Sequence, residues 1–138
     1  MSAQRPVILE ALKTLLKSGV PAVSNRVYLP WDLHNDVYPM IQIGIEDSNV
    51  DPDAIIGQWE HTINIKIGAV QTGKFDHQAV WDLLSAAVTA ISANQTLGGS
   101  VRSIEITGCS DSLIVAGDKM LWPHLAVNIV YRTQKGNL

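Results

Sequence analysis

The chain has 138 residues, a net charge of −3 and one cysteine, with hydrophobic residues making up 46% of it. That length and apolar content suit a single domain with its own core, in the size range where roughly two thirds of the unfolded surface is buried. Cys109 has no partner within the chain, and no disulfide is needed. Met1 to Arg5 is polar and carries no secretory pattern, and no apolar run approaches the ~20 residues of a membrane span, so the expected state is soluble, cytosolic and in a reducing compartment.

Pro6 suits a first helical turn, and Ile8, Leu9, Leu12, Leu15 and Leu16 fall at helical spacing before Gly19 and Pro21, which predicts a helix over about 6–18. A short extended piece, Arg26 to Leu29, leads through a loop to an isoleucine strand over about Met40 to Glu46. Turn residues in Ser48-Asn49 and Asp51-Pro52-Asp53 predict a loop over 47–57. A long strand from about Gln58 to Ala69 follows, with His61, Ile63, Ile65 and Ile67 on one face and Thr62, Asn64 and Lys66 on the other. The two strands read as antiparallel neighbours.

Gly73 breaks that strand, Asp76 suits an N-cap, and Val80, Leu83, Leu84, Ala87, Val88 and Ile91 predict a second helix. Between Ala79 and Asn94 only Asp82 is ionised, while Trp81, Ala86, Ala90 and Ala93 flank the stripe, so the helix is expected to be covered on more than one side, in part by a neighbouring subunit. After Gly98-Gly99 come a strand over about Val101 to Thr107, a loop from Ser110 to Lys119, and a last strand over about Met120 to Thr133 in which Pro123 marks an edge or a start. Gln134 to Leu138 is a polar tail. The expected fold is α+β: a mostly antiparallel sheet of four to five strands with two helices packed on it.

Charge is segregated along the chain. Arg5, Lys13, Lys17 and Arg26 face only Glu10 in residues 1–26, whereas residues 27–65 hold Asp32, Asp36, Glu46, Asp47, Asp51, Asp53 and Glu60 with no lysine or arginine. A solvated acidic face is one account; a basic end meeting the acidic middle of the next copy is the other. Trp31, Trp59 and Trp122 are candidate interface anchors, with burial in the core as the competing account, and Trp81 belongs to the same interface set through the second helix.

Catalytic patterns are weak. His34, His61, His77 and His124 lie far apart without metal-ligand spacing; Asp51 and Asp53 begin like a calcium loop but enclose Pro52 and lack its glycine and glutamate; Gly98-Gly99-Ser100 lacks the lysine of a phosphate loop. No metal or cofactor is expected. A small enzyme or ligand site built from Glu60, His61 and His124 across adjacent strands stays open. An acidic chain with one phenylalanine and no basic stripe disfavours a direct grip on nucleic acid.

The leucine-rich first helix, Arg26-Val27-Tyr28, Tyr38-Pro39 entering an isoleucine strand that ends at Glu46-Asp47, the long second strand, the alanine-rich helix and two closing strands together resemble the tail terminator or minor tail proteins of long-tailed bacteriophages, over roughly residues 6–133. The resemblance implies a virion protein rather than an enzyme. It would assemble in the host cytoplasm into a ring, usually of six subunits, that caps the finished tail tube and presents a surface to the head-tail connector. It also implies the tube protein and the connector as partners, and DNA that passes through without specific binding. On that footing Glu46, Asp47, Asp51 and Asp53 would line the lumen or face a partner and repel phosphate. A head completion or neck protein is the alternative nearest to it.

Overall fold

The computed structural model describes residues 3–33, 37–70, 77–110, 113–116, 118–121 and 123–138. The first helix, α1 (Gln4–Gly19), buries Ile8, Leu9, Leu12 and Leu16, the i, i+1, i+4, i+8 stripe that its leucines predict. No side chain caps it at Ala3; instead the Gln4 N–H donates to the Leu138 carbonyl at 2.6 Å, so the last residue of the chain holds the first turn. A 3-10 turn at Pro21–Val23 leads to β1 (Val27–Tyr28), which pairs in parallel with the start of β2 (Met40–Ile55).

β2 and β3 (Gln58–Val70) form an antiparallel hairpin, β3 pairs with β7 (His124–Gln134), and β7 with β4 (Ser103–Ser110), giving a five-stranded sheet in the order β1-β2-β3-β7-β4. The second helix, α2 (His77–Ala93), lies beside α1 on the same face of the sheet. The fold is therefore α+β with two helices on a mostly antiparallel sheet. Ile63, Ile65 and Ile67 of β3, and Val127, Ile129 and Tyr131 of β7, face the helices and are buried.

Three expectations are corrected. Residues 47–55 are strand rather than loop, because Asp47 to Asp51 pair with Asn64 to Glu60 and so find backbone partners despite their turn chemistry; irregularities in register between Ile45 and Asp47 and between Asp51 and Ile55 absorb it. The hairpin turns only at Ile56-Gly57, where Gly57 has φ +78°, a conformation that suits glycine in such a turn. The stretch 110–119 is not a plain loop: β5 (Leu113–Ala116) and β6 (Asp118–Leu121) form a two-stranded ribbon in the same register as the Ser110–His124 pair, so it prolongs the β4–β7 hairpin. The last predicted strand is thereby divided into β6 and β7. The proposed cap Asp76, the break at Gly73, His34, Asp36 and Trp122 lie outside the described residues.

The alanines of α2 have a reason that needs no neighbouring subunit. A Cβ on Gly19 would lie 2.5 Å from the Cβ of Ala90, so α1 and α2 cross with almost no side chain between them. Ala87 is buried and Ala86 and Ala90 are half-buried along that seam, while the exposed strip of α2 carries Gln78, Asp82, Ser85 and Thr89. Apart from Ala93 at the end of the helix, the fully exposed positions of α2 with a described side chain are polar. Gly19→Ala is therefore expected to lower stability by about 1–3 kcal/mol, the usual cost of overpacking. Urea denaturation reads it, and adding Ala90→Gly in the same chain should restore much of the loss; an unchanged midpoint for the single variant would refute the close crossing.

Candidate functional site

Because both helices lie on one face, the other face of the sheet is open. Its residues are half-buried by their neighbours or exposed, and register arranges them in rows across the strands. One row runs Asp47, Asn64, Asn128 and Glu105 from β2 through β3 and β7 to β4; the next toward the hairpin tip holds Asn49, Thr62, Val130 and Ser103; then come Asp51, Glu60 and Arg132. Asp51 sits directly opposite Glu60, a repulsive placement, and Arg132 on the far side of Glu60 offsets it with an Nε to Oε2 contact of 3.0 Å.

The acidic segment is less available than its sequence suggests. Asp32 is paired with Lys13 at 2.7 Å, Glu46 with Lys66 at 2.7 Å and Glu60 with Arg132. Asp47 accepts from the Asn64 side-chain amide, and Asp51 accepts the Asp53 backbone N–H at 2.9 Å, a local turn bond. Asp47, Asp51 and Asp53 have no cationic partner among the described residues, so the free negative charge is confined to the outer half of β2. From Ile43 onward that strand has no neighbour on its outer side among the described residues, since β1 covers only Ile41 and Gln42. Exposed carboxylates and Pro52 are devices that discourage unwanted strand pairing there.

The cations expected at an interface are also partly engaged. Lys13 is spent on Asp32, whose second bond is to the Leu29 N–H at 2.8 Å; these two contacts hold the Asp32 carboxyl below its usual range. Arg26 donates through Nε to the Pro39 carbonyl at 2.8 Å and through Nη2 to that of Ala22. Arg5 and Lys17 are half-buried on α1. Of the sequence's basic end only Lys13 meets an acid of the middle segment within one chain, while Glu46 and Glu60 are met by Lys66 and Arg132 from later in the sequence.

The opposite edge differs. β4 pairs only with β7 among the described residues, and between β4 and α2 runs an apolar groove of about 360 Å³ lined by Trp81, Leu84, Ser85, Val88, Ile106, Thr107, Gly108, Cys109 and Leu125. Two helices do not span five strands, so the inner face stays reachable beside the edge strand. Cys109 is exposed and free. On the side of β1, the turn after Leu29 exposes Trp31 and Leu33, 51% and 99% accessible, and Val37 is half exposed. Trp31 is therefore not a core residue. Trp59 does not lie open: it is half-buried, edge-on to His61 with centroids 6.3 Å apart.

The proposed trio of Glu60, His61 and His124 does not assemble. His61 faces the core, stacked on Tyr131 at 4.5 Å with its Nε2 2.8 Å from the Thr133 hydroxyl, whereas Glu60 points to the open face toward Arg132. His124 is paired with Gly68, seven residues further along β3, or roughly 23 Å away. It contacts Ser110 instead, Oγ to Nε2 at 2.8 Å. The described residues hold no group of three or more metal-ligating side chains, and none of their helices is long and apolar enough to cross a membrane. No family model matches the chain, and no curated protein matches it.

Sequence periodicity placed His61 on the apolar face without revealing its partners, since Tyr131 and Thr133 lie some 70 residues away. The Nδ1 of His61, the Tyr131 hydroxyl and the Trp59 Nε1 are buried and have no hydrogen-bond partner among the described residues, and burial, with a smaller contribution from Arg5, pushes the His61 pKa below its ordinary 6.5. A histidine depressed in the folded state is protonated first in the unfolded chain. Its contribution to stability is accordingly full above about pH 6.5 and declines as pH falls below that value, at up to about 1.4 kcal/mol per pH unit. The wild type is expected to lose more of its urea midpoint than His61→Gln between about pH 7.5 and about pH 5.5; equal losses would show that His61 is not the group responsible.

Proposed function

We propose that this chain is a structural subunit that joins copies of itself head to tail into a closed ring, and that the ring caps a phage tail tube and offers a surface to the head-tail connector. The observation that carries the first part is the contrast between the two sides of one sheet. The β2 side ends in free carboxylates and an exposed apolar turn, and the β4 side in an uncovered strand edge beside an apolar groove. Like edges favour twofold dimers, whereas unlike, complementary edges favour heterologous contacts, which generate rings when the rotation closes. The second part rests on the resemblance of residues 6–133 to tail terminators.

Within such a ring, Asp47, Asp51 and Asp53 form one acidic band per subunit. Facing a lumen, they repel phosphate and let DNA pass unbound. The Glu46 carboxylate contributes less, being offset by Lys66. A neck or head completion protein would use the same ring and differ in the neighbour it meets.

Sedimentation velocity across concentration, repeated with isolated tail tubes present, tests this. A discrete multi-subunit species, formed alone or on tube ends, is expected. Because the contact is mainly apolar, only a modest loss is expected on raising salt from about 0.05 to about 0.5 M, where exposed charges are strongly screened. A closed dimer at every concentration, or a strict monomer with and without tubes, would overturn the proposal.

A further inference from the structure

The turn between β1 and β2 is built to hold apolar side chains out in water. Asp32 is its anchor: its carboxylate accepts from the Lys13 ammonium of α1 at 2.7 Å and from the Leu29 N–H at 2.8 Å, and its own N–H donates to the Leu29 carbonyl at 3.0 Å. The residue between two exposed hydrophobics is thus drawn inward, while Trp31 and Leu33 on either side are left outward. Isolated exposed hydrophobics are ordinary; a tryptophan and a leucine displayed by a fixed turn are not, because the conformational cost of binding has been met in advance.

Across the sheet, beside the free edge of β4, lies a large apolar recess, the groove between α2 and β4. Its walls are Trp81, Leu84, Val88, Ile106 and Leu125, it carries no ionised side chain, and its volume of about 360 Å³ suits one tryptophan with a leucine. Hydroxyls of Ser85 and Thr107 on its rim can accept the indole N–H. The turn cannot reach the groove of its own chain. Strand order β1-β2-β3-β7-β4 puts four strand spacings, about 19 Å, between the two sides.

We infer that the Trp31–Leu33 turn of one copy occupies the α2–β4 groove of the next. The occupant is a second copy, because the apolar knob and the uncharged recess lie on opposite sides of one subunit, the placement a heterologous ring contact requires. The inference rests on the ring reading and gives it a contact. An aromatic anchor in an apolar pocket has the character of an interface hot spot.

Cys109, the only cysteine, stands exposed in the groove and supplies the test. In Leu33→Cys, oxidation of the assembled protein should link residue 33 of one copy to Cys109 of the next, identified as a disulfide-linked peptide by mass spectrometry. An intrachain bond is excluded, since bridged Cα atoms lie within about 7 Å. The 33–109 link should vanish in Leu33→Cys/Cys109→Ser, and Ile56→Cys at the hairpin tip should give none to Cys109. Separately, Trp31→Asp/Leu33→Asp should remain folded, with both positions so exposed, and associate at least about tenfold more weakly. If that variant assembles like wild type, or if assembled Leu33→Cys gives no 33–109 link, this inference is wrong while the ring stands. If the wild type never assembles, with or without tubes, both fail.

Discussion

Gly19 against Ala90 is the contact on which the rest of the molecule depends. By letting α1 and α2 cross closely, it fixes both helices on one face of the sheet and brings Leu9, Leu12, Leu16, Leu84, Ala87 and Ile91 into a single core over the isoleucines of β3. The same closeness limits how much sheet the pair can cover. One entire face and the margin beside β4 are left uncovered by the helices.

What is left uncovered is chemically divided. On the outer half of β2, Asp47, Asp51 and Asp53 have no cationic partner among the described residues, while Glu46, Glu60 and Asp32 are neutralised by Lys66, Arg132 and Lys13. The exposed Lys66–Glu46 pair contributes little to stability, about 0–1 kcal/mol. The three pairs together localise the residual charge and, at Asp32, shape a turn. The Lys13–Asp32 pair therefore links the helix layer to the surface that displays Trp31 and Leu33.

Much of this fold could be read from periodicity. The alternating isoleucines at 41, 43 and 63 to 67, the leucine stripe of α1 and the Val80 to Ile91 stripe of α2 are local signals, and the structure places those residues in the core. The acidic hairpin arm could not, because Asp-Asn-Pro chemistry speaks for a turn and the partner strand overrides it only once Glu60 to Asn64 are in place. Nor could the β5–β6 ribbon, whose eight residues are short of a clear period. Trp31 was visible as a large aromatic without a helical or strand phase, but the groove that suits it is assembled from α2, β4 and β7, and no window of sequence contains all three. The charge asymmetry was legible and its consequence was not, since pairs such as Glu60–Arg132 span 72 residues.

The central claim is that two unlike edges of one sheet meet between copies and close. Electron microscopy of the purified protein, alone and on tube ends, tests it most directly through the symmetry of the particles. Class averages showing a closed ring with rotational symmetry and the subunits in one sense around it are the predicted result. Twofold particles joined through like edges, open filaments, or single subunits under both conditions would contradict it.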